Sequence, residues 1–528
     1  MRQRPLVIGF WALCVSSLST KSTTHGLPWT RGASGNSQDT PTEEAEEEAH
    51  TVSLHAAVSV DTDGRVFDVP TMRQSRNTIV DHFFNNSSTH ETTSPASQHL
   101  LDEIRVQART LTDALIHTRR TLHQRPELMY QESQTSAIVQ KALTEMGISN
   151  FTTGWAVNTH PDVIPGPGGY GIVVDIGTGQ APCVLLRADM DALPILEQTT
   201  NVDAFRSQTD HQMHACGHDG HTTMLLGAAA ILKGMEASLP GTVRIMFQPA
   251  EEGGAGAKRM REEGVLKQAP QPSYAFGMHV WPTLPSGVVA TRPGPLLAAC
   301  ERFEILLAGV GGHAAMPHLT IDPIVTASAI VMNLQTIVSR TISPLESGVC
   351  SITKIEGGDA FNVIPHSVLL RGTIRALRTE TLLSLRDKVE HIVESTAATH
   401  GCNVTISYSP DYYPPTVNDP DLYETFAKHV GAMVSSEGVI RDTEPTMGAE
   451  DFSFVAESIP SAFFLLGQGS GTDPPTDYGL HHPHFALDES VLPQGVELHV
   501  NLALRALQKL LREQAQYEQS GDHTAATQ

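Results

Sequence analysis

Between His214 and His221 the chain reads H-A-C-G-H-D-G-H, three histidines, a cysteine and an aspartate interleaved with Gly217 and Gly220. Packing has no use for such a composition. Cys216 and His218 are metal donors two residues apart, and the two glycines let the backbone bend around an ion. A two-metal hydrolytic site takes about five or six protein donors and a base for the water they share. Glu252, His279 and His481 are the remaining candidate donors, each at an expected strand end or loop. Thiolate, imidazole and carboxylate together suit Zn2+, Mn2+ or Co2+ rather than Ca2+ or Mg2+.

Taken singly, most of these residues have plainer roles. Glu251-Glu252 could open a helix as a solvated acidic pair. With Gly253 and Gly254 behind it, the same pair could aim both carboxylates into one cavity, one on metal and one taking a proton. The chain has 25 histidines, so a lone His279 or His481 is more often structural or surface. Asp189 and Asp191 could cap a turn.

Elements must carry these residues to one place. Helical periodicity runs over 100–122, 132–146, 221–235 and 255–263, and short apolar runs of strand length cover 171–176, 184–187, 242–247 and 274–280. Strands alternating with helices predict an α/β fold, a mixed sheet with helices on both faces. Ligands then sit where strands end; the Asp189 and Glu251 stretches follow strands and His279 ends one. From 298 the rhythm becomes β-α-β-β-α-β: strand 302–308, helix 322–340, strands 349–355 and 368–376, helix 379–400, strand 403–409. That is the order of a ferredoxin-like domain. The first rhythm resumes with helix 423–434, strand 462–466 and a closing helix 492–511. The expected organisation is a catalytic domain in two parts, 99–297 and 411–512, interrupted by an insert at 298–410, with a frayed tail at 513–528.

The N-terminus reads as a targeting segment over 1–25, where Arg2 and Arg4 precede an apolar run from Leu6 to Val15 too short to span a membrane. It predicts entry to the secretory pathway, with an organelle leader as the rival. Residues 26–98 are polar, with an acidic run from Glu43 to Glu48, and predict a disordered linker. With 35 Lys+Arg against 58 Asp+Glu the formal charge is -23, which argues against a nucleic-acid partner. No later run is apolar enough for a stable membrane span. Cys183, Cys300, Cys350 and Cys402 are scattered without a disulfide framework and read as buried thiols.

Read jointly, the motifs resemble one family, the amidohydrolase branch of the co-catalytic metallopeptidases. That branch includes hippurate hydrolases, N-acyl-amino-acid amidohydrolases and plant hydrolases of indole-acetyl-amino-acid conjugates. The matching stretches are H-Q-R-P-E-L at His123, R-A-D-M-D-A-L-P at Arg187, M-H-A-C-G-H-D-G-H at Met213, F-Q-P-A-E-E-G-G at Phe247 and G-M-H-V-W-P at Gly277. They continue with G-G-H-A-A-M-P-H at Gly311, F-N-V-I-P at Phe361, G-T-I-R at Gly372, M-G-A-E-D-F-S at Met447 and L-H-x-P at Leu480. The resemblance implies a zinc-peptidase-like catalytic domain and an inserted lid that can mediate a homodimer. It implies two divalent ions, Mn2+ or Zn2+ with Co2+ as a third choice, on Cys216, His218, Glu252, His279 and His481. Glu251 would be the general base and Asp191 the carboxylate behind the metal centre. It places His313 on the scissile carbonyl, often in a partner's site, and Asn362 and Arg375 on the substrate carboxylate. The chain departs from the family at Val310, where a basic residue is common, and at His482, which leaves His481 against His482 open.

The expected activity is hydrolysis of an N-acyl amino acid, of the auxin-conjugate or hippurate type, to amino acid and carboxylic acid. The alternatives are a dipeptidase or aminopeptidase of the same superfamily and a non-catalytic metal-binding relative.

Overall fold

The fold was obtained as a computed structural model, which describes Val80, Asp81, Phe83, Phe84 and residues 95–520. The expected targeting segment and most of the polar segment after it lie outside the described residues.

The larger sheet has eight strands in the order Thr152–Val157, Gly168–Gly177, Thr242–Gln248, Cys183–Asp189, Pro272–Pro285, Ser461–Gly469, Val289–Thr291 and Arg441–Asp442. Its four inner strands, Thr242–Gln248 through Ser461–Gly469, are mutually parallel, and the strand on either side, Gly168–Gly177 and Val289–Thr291, joins them antiparallel, so the sheet is mixed. Strand Cys183–Asp189 is buried at every position because both faces are covered. Val184, Leu186 and Ala188 join the core formed with helices His218–Gly234 and Leu492–Ser520, while Leu185 points into the opposite core with Met260, Phe452 and Val455. Helix His218–Gly234 is Ala- and Leu-rich and almost wholly buried. Leu225, Leu226, Ile231 and Leu232 have no exposed surface, each contributing about 1.5–3 kcal/mol of burial. The helix starts at Gly217, whose φ of 89° and proximity to Val280 Cγ2, 2.5 Å from where a Cβ would stand, require glycine.

The insert contains strand Ala299–Ala308, helix Pro323–Thr336, strands Gly348–Glu356 and Ser367–Ala376, helix Thr379–His400 and strand Asn403–Tyr408. Its four strands are antiparallel in the order Gly348–Glu356, Ser367–Ala376, Ala299–Ala308, Asn403–Tyr408. Strict alternation sends Phe303, Ile305, Leu370 and Ile374 against Leu334, Leu385 and Val389 of the two helices. The other face of the strands carries Cys300, Arg302 and Arg375. Where the chain enters and leaves this segment, Cys300 and Tyr413 exchange both backbone hydrogen bonds, each 2.9 Å.

Three expectations need correction. The polar segment does not extend to residue 98: a helix begins at Pro95, and Val80 and Phe83 are buried in the main core. Gln508 donates to the Phe83 carbonyl and Arg505 to Ser97, so the closing helix ties this stretch down. The expected helix 100–122 is two helices, Pro95–Thr110 and Thr112–His123. Thr110 and Thr112 turn their hydroxyls onto the Gln107 and Arg109 carbonyls and compete with the helix ladder. Residues 513–520 are helical, not frayed, supported by i,i+4 pairs such as Lys509–Glu513.

Candidate metal centre

The chemically dense residues meet at one end of the parallel strands. Strand Cys183–Asp189 delivers Asp189 and, two residues on, Asp191. The loop before helix His218–Gly234 brings Cys216 and His218. The turn after Thr242–Gln248 brings Glu251 and Glu252, strand Pro272–Pro285 brings His279, and the loop after Ser461–Gly469 brings His481.

Donor atoms from Cys216, His218 and His279 lie within 4.8 Å of one another. The same holds for Cys216, Glu252 and His481, and for His218, Glu251 and Glu252. Cys216 Sγ is 3.3 Å from His279 Nε2, and Glu252 Oε1 is 3.1 Å from His481 Nε2 and 3.9 Å from His218 Nε2. His481 is turned inward by a left-handed φ of 62° and by its N–H on the Ala215 carbonyl. His482 instead stacks on Tyr478.

Neighbouring groups set the tautomers. His279 Nδ1 donates to the Val280 carbonyl at 2.7 Å, leaving the Nε2 lone pair toward the thiol. The Val280 N–H donates to His221 Nε2, so His221 Nδ1 carries its proton to Asp189 Oδ1 at 2.7 Å. His221 therefore has no free lone pair and supports the centre rather than joining it. Asp219 is likewise consumed, by Arg119 at 2.9 Å and His123 at 2.7 Å.

Asp191 holds the glutamate pair. Its two carboxylate oxygens accept the Glu251 N–H at 3.0 Å and the Glu252 N–H at 2.9 Å, and Oδ1 stands 3.3 Å from His218 Nδ1. The turn itself has left-handed φ at Ala250, Gly253 and Ala255. Tyr413 closes it: the hydroxyl accepts from the Gly253 and Ala255 N–H groups and donates to the Glu251 carbonyl.

The electrostatics call for a cation. Asp189, Asp191, Glu251, Glu252, Glu450 and Asp451 converge, and the guanidinium of Arg187 answers Asp189, Glu450 and Asp451, each at 2.8 Å. Burial, then the Glu450, Glu252 and Asp451 charges, pushes Glu251 well above the usual carboxylate range. Burial and the Glu252 and Glu251 charges hold Cys216 as a thiol. Burial alone would lower the His218 pKa, but Asp189, Asp191 and Glu252 lift it to about 10. His218 Nε2 is buried and has no hydrogen-bond partner. Buried imidazoles, a thiol and clustered carboxylates facing one point fit divalent ions.

The centre floors a cavity of ≈ 500 Å³. Trp281, Leu297, Phe463 and Leu480 supply its apolar wall, and the insert contributes Cys300, Arg302 and Arg375. Of the residues expected in the substrate site, Arg375 lines the cavity, with Nη1 donating to the Met447 carbonyl at 2.6 Å. His313 and Asn362 are not brought there within this chain. They lie together on the short strand pair Gly312–His313 and Val363–Ile364, where the Ala314 N–H bonds the Asn362 carbonyl. Sequence reasoning missed Tyr413, Arg302 and the structural importance of Arg187. Among the described residues the cysteines form no disulfide.

Residues 185–505 match the model of peptidase family M20/M25/M40. The chain belongs to that family. The matched stretch contains the expected metal ligands, Glu251 and Asp191. Among similar M20 chains, the IAA-amino acid hydrolase ILR1-like 4 of Arabidopsis thaliana is 43% identical over 401 residues, spanning 75% of this chain and 87% of the relative. The N-acetylcysteine deacetylase of Bacillus subtilis is 38% identical over 397 residues, 75% of this chain and 97% of that one. A Bacillus subtilis structure described as a dinuclear metal-binding M20 peptidase aligns at a TM-score of 0.59 and 33% identity, covering 77% of this chain and 99% of that one.

Proposed function

We propose that this M20 protein is a metal-dependent amidohydrolase that cleaves N-acyl amino acids to an amino acid and a carboxylic acid. The observation that carries the reading is the Glu251–Glu252 pair, clamped by Asp191 beside Cys216, His218, His279 and His481 at the floor of a half-apolar cavity. Similarity to amide-cleaving relatives supports it. Two divalent ions, Mn2+ or Zn2+ with Co2+ as a third choice, would be held by Cys216, His218, Glu252, His279 and His481. They would supply Lewis acidity, polarising the scissile carbonyl and acidifying water.

Glu251, at the centre of the cluster, takes the proton of the attacking water and delivers it to the departing amine nitrogen. The apolar wall holds the acyl group, and Arg375 holds the α-carboxylate through its guanidinium fork. A dipeptidase would need a free acid for the substrate amine. The cavity carboxylate Asp411 is already paired with Lys258 and Arg259, and Glu450 with Arg187. Metal-reconstituted protein should release amino acid from N-acetyl- and indole-3-acetyl-amino acids. Cleavage of free dipeptides but not of N-acyl amino acids would overturn the reading.

We read the insert as a ferredoxin-like lid and dimerisation domain, and its β-α-β-β-α-β order supports this. Val310, Ile324, Val325, Met332 and Phe361 are exposed on it, a surface that a second copy would cover. His313 and Asn362 would then serve the partner's cavity, with His313 on the developing oxyanion. Mixing inactive His313→Ala and Glu251→Gln proteins should restore activity; a mixture that stays inactive refutes the shared site. The N-terminal leader supports secretory entry, which N-terminal sequencing of the exported protein would check.

A further inference from the structure

Among the described residues, Arg302 and Arg375 are the only Lys or Arg side chains lining the cavity. They stand on neighbouring antiparallel strands, where Arg375 faces Cys300 and Arg302 faces Thr373 across the pair. The two arginines are thus diagonal neighbours on one sheet face, about 7–8 Å apart in such geometry with their Cβ atoms somewhat closer. Neither makes an ion pair among the described residues. Arg375 spends one N–H on the Met447 carbonyl, and Arg302 spends one on the Gly253 carbonyl at 3.1 Å. Each guanidinium keeps most of its five donors. The buried guanidiniums near the site are matched differently: Arg187 has three carboxylates, and Arg119 has Asp219 and Glu489. Two unmatched arginines in a chain of formal charge -23 mark a place for two anionic groups.

Amide cleavage accounts for one anion, the α-carboxylate on Arg375. We propose that Arg302 is a specificity residue that takes a second carboxylate, on the amino acid's side chain, so that the substrate class is N-acyl-aspartate and N-acyl-glutamate. This rests on the amidohydrolase reading above. The two carboxyl carbons of these amino acids lie about 4–5 Å apart in extended form, a span that two guanidinium forks converging from diagonal positions can bracket. The acyl group is left to the apolar wall of Trp281, Leu297, Phe463 and Leu480. Arg302 is exposed, so its remaining donors are open to water or to a ligand, and its place on the cavity wall diagonal to Arg375 is what carries the assignment.

The test compares kcat/KM for N-acetyl-L-glutamate, N-acetyl-L-aspartate and N-acetyl-L-alanine in the metal-loaded full chain and its Arg302→Gln and Arg302→Lys variants. The wild type favours the acidic substrates. In Arg302→Gln the glutamate-to-alanine ratio falls about tenfold or more, mainly through KM, as loss of a charged hydrogen bond predicts; Arg302→Lys retains most of it. A ratio unchanged in Arg302→Gln, or a wild type without acidic preference, overturns the proposal. Calorimetric binding of glutarate against butyrate reads the same site without turnover. Tighter glutarate binding that vanishes in Arg302→Gln supports the site even if no amide is cleaved, a result that would sink the amidohydrolase reading alone. Equal binding of the two acids overturns the site.

Discussion

Replacing Tyr413 with phenylalanine should cripple the Glu251–Glu252 turn while removing neither carboxylate. The hydroxyl satisfies three backbone groups: the Gly253 N–H at 3.0 Å, the Ala255 N–H at 2.9 Å and the Glu251 carbonyl at 2.6 Å. Tyr413 is only 8% exposed, and two of these bonds are buried. Removing the hydroxyl strands one buried donor and one buried acceptor, at about 1–3 kcal/mol each, while water can reach the Gly253 N–H. The sum, about 2–6 kcal/mol, falls on a turn that already holds Ala250 and Ala255 in left-handed backbone. If half of it appears as misplacement of Glu251, kcat/KM falls roughly 5- to 150-fold, and the rest appears as a lower thermal midpoint. Steady-state kinetics at saturating metal, with calorimetry of the same preparations, would show both. A variant within twofold of wild type in kcat/KM and with an unchanged midpoint would refute the reasoning, leaving Asp191 as the sole clamp.

Three further outcomes follow from the same geometry. Asp191→Ala removes the acceptor of two backbone N–H groups and the neighbour of His218, and should weaken metal binding about 10–100-fold in a chelator competition. Chelation of divalent metal should lower the thermal midpoint, because the clustered carboxylates lose their counter-charge, and adding Mn2+ or Zn2+ should restore it. Burial without hydrogen-bond partners holds the His499 pKa down to about 3, against an unfolded value near 6.5. Stability from the neutral ring is full above 6.5 and is lost as pH falls toward 3. His499→Leu should therefore spare about 3 kcal/mol of the loss suffered by wild type between pH 7 and 4.5, read from urea midpoints at both pH values.

The candidate donors could be read from the chain because each sits in a short, chemically dense stretch, although His279 lies within strand Pro272–Pro285 rather than at its end. The larger strands and helices followed from their apolar periods. Tyr413 could not be read, because its role is defined by backbone groups about 160 residues away. Arg302 is an ordinary alternating residue until the register with strand Ser367–Ala376 sets it diagonal to Arg375. Strand Thr152–Val157 showed no alternation because two register shifts break its pairing. Val289–Thr291 and Arg441–Asp442 are too short to show a period at all. His481 and His482 were inseparable by adjacency; the left-handed backbone at His481 is what aims one inward and lets the other stack on Tyr478.

The central claim is that Glu251 moves the proton in amide cleavage while Cys216, His218, Glu252, His279 and His481 hold the metal. The direct measurement is kcat of Glu251→Gln alongside its metal content. The account predicts full metal occupancy, an intact fold and a kcat reduced about 10²–10⁴-fold. A Glu251→Gln protein that binds metal fully and turns over N-acyl amino acids at the wild-type rate would contradict it.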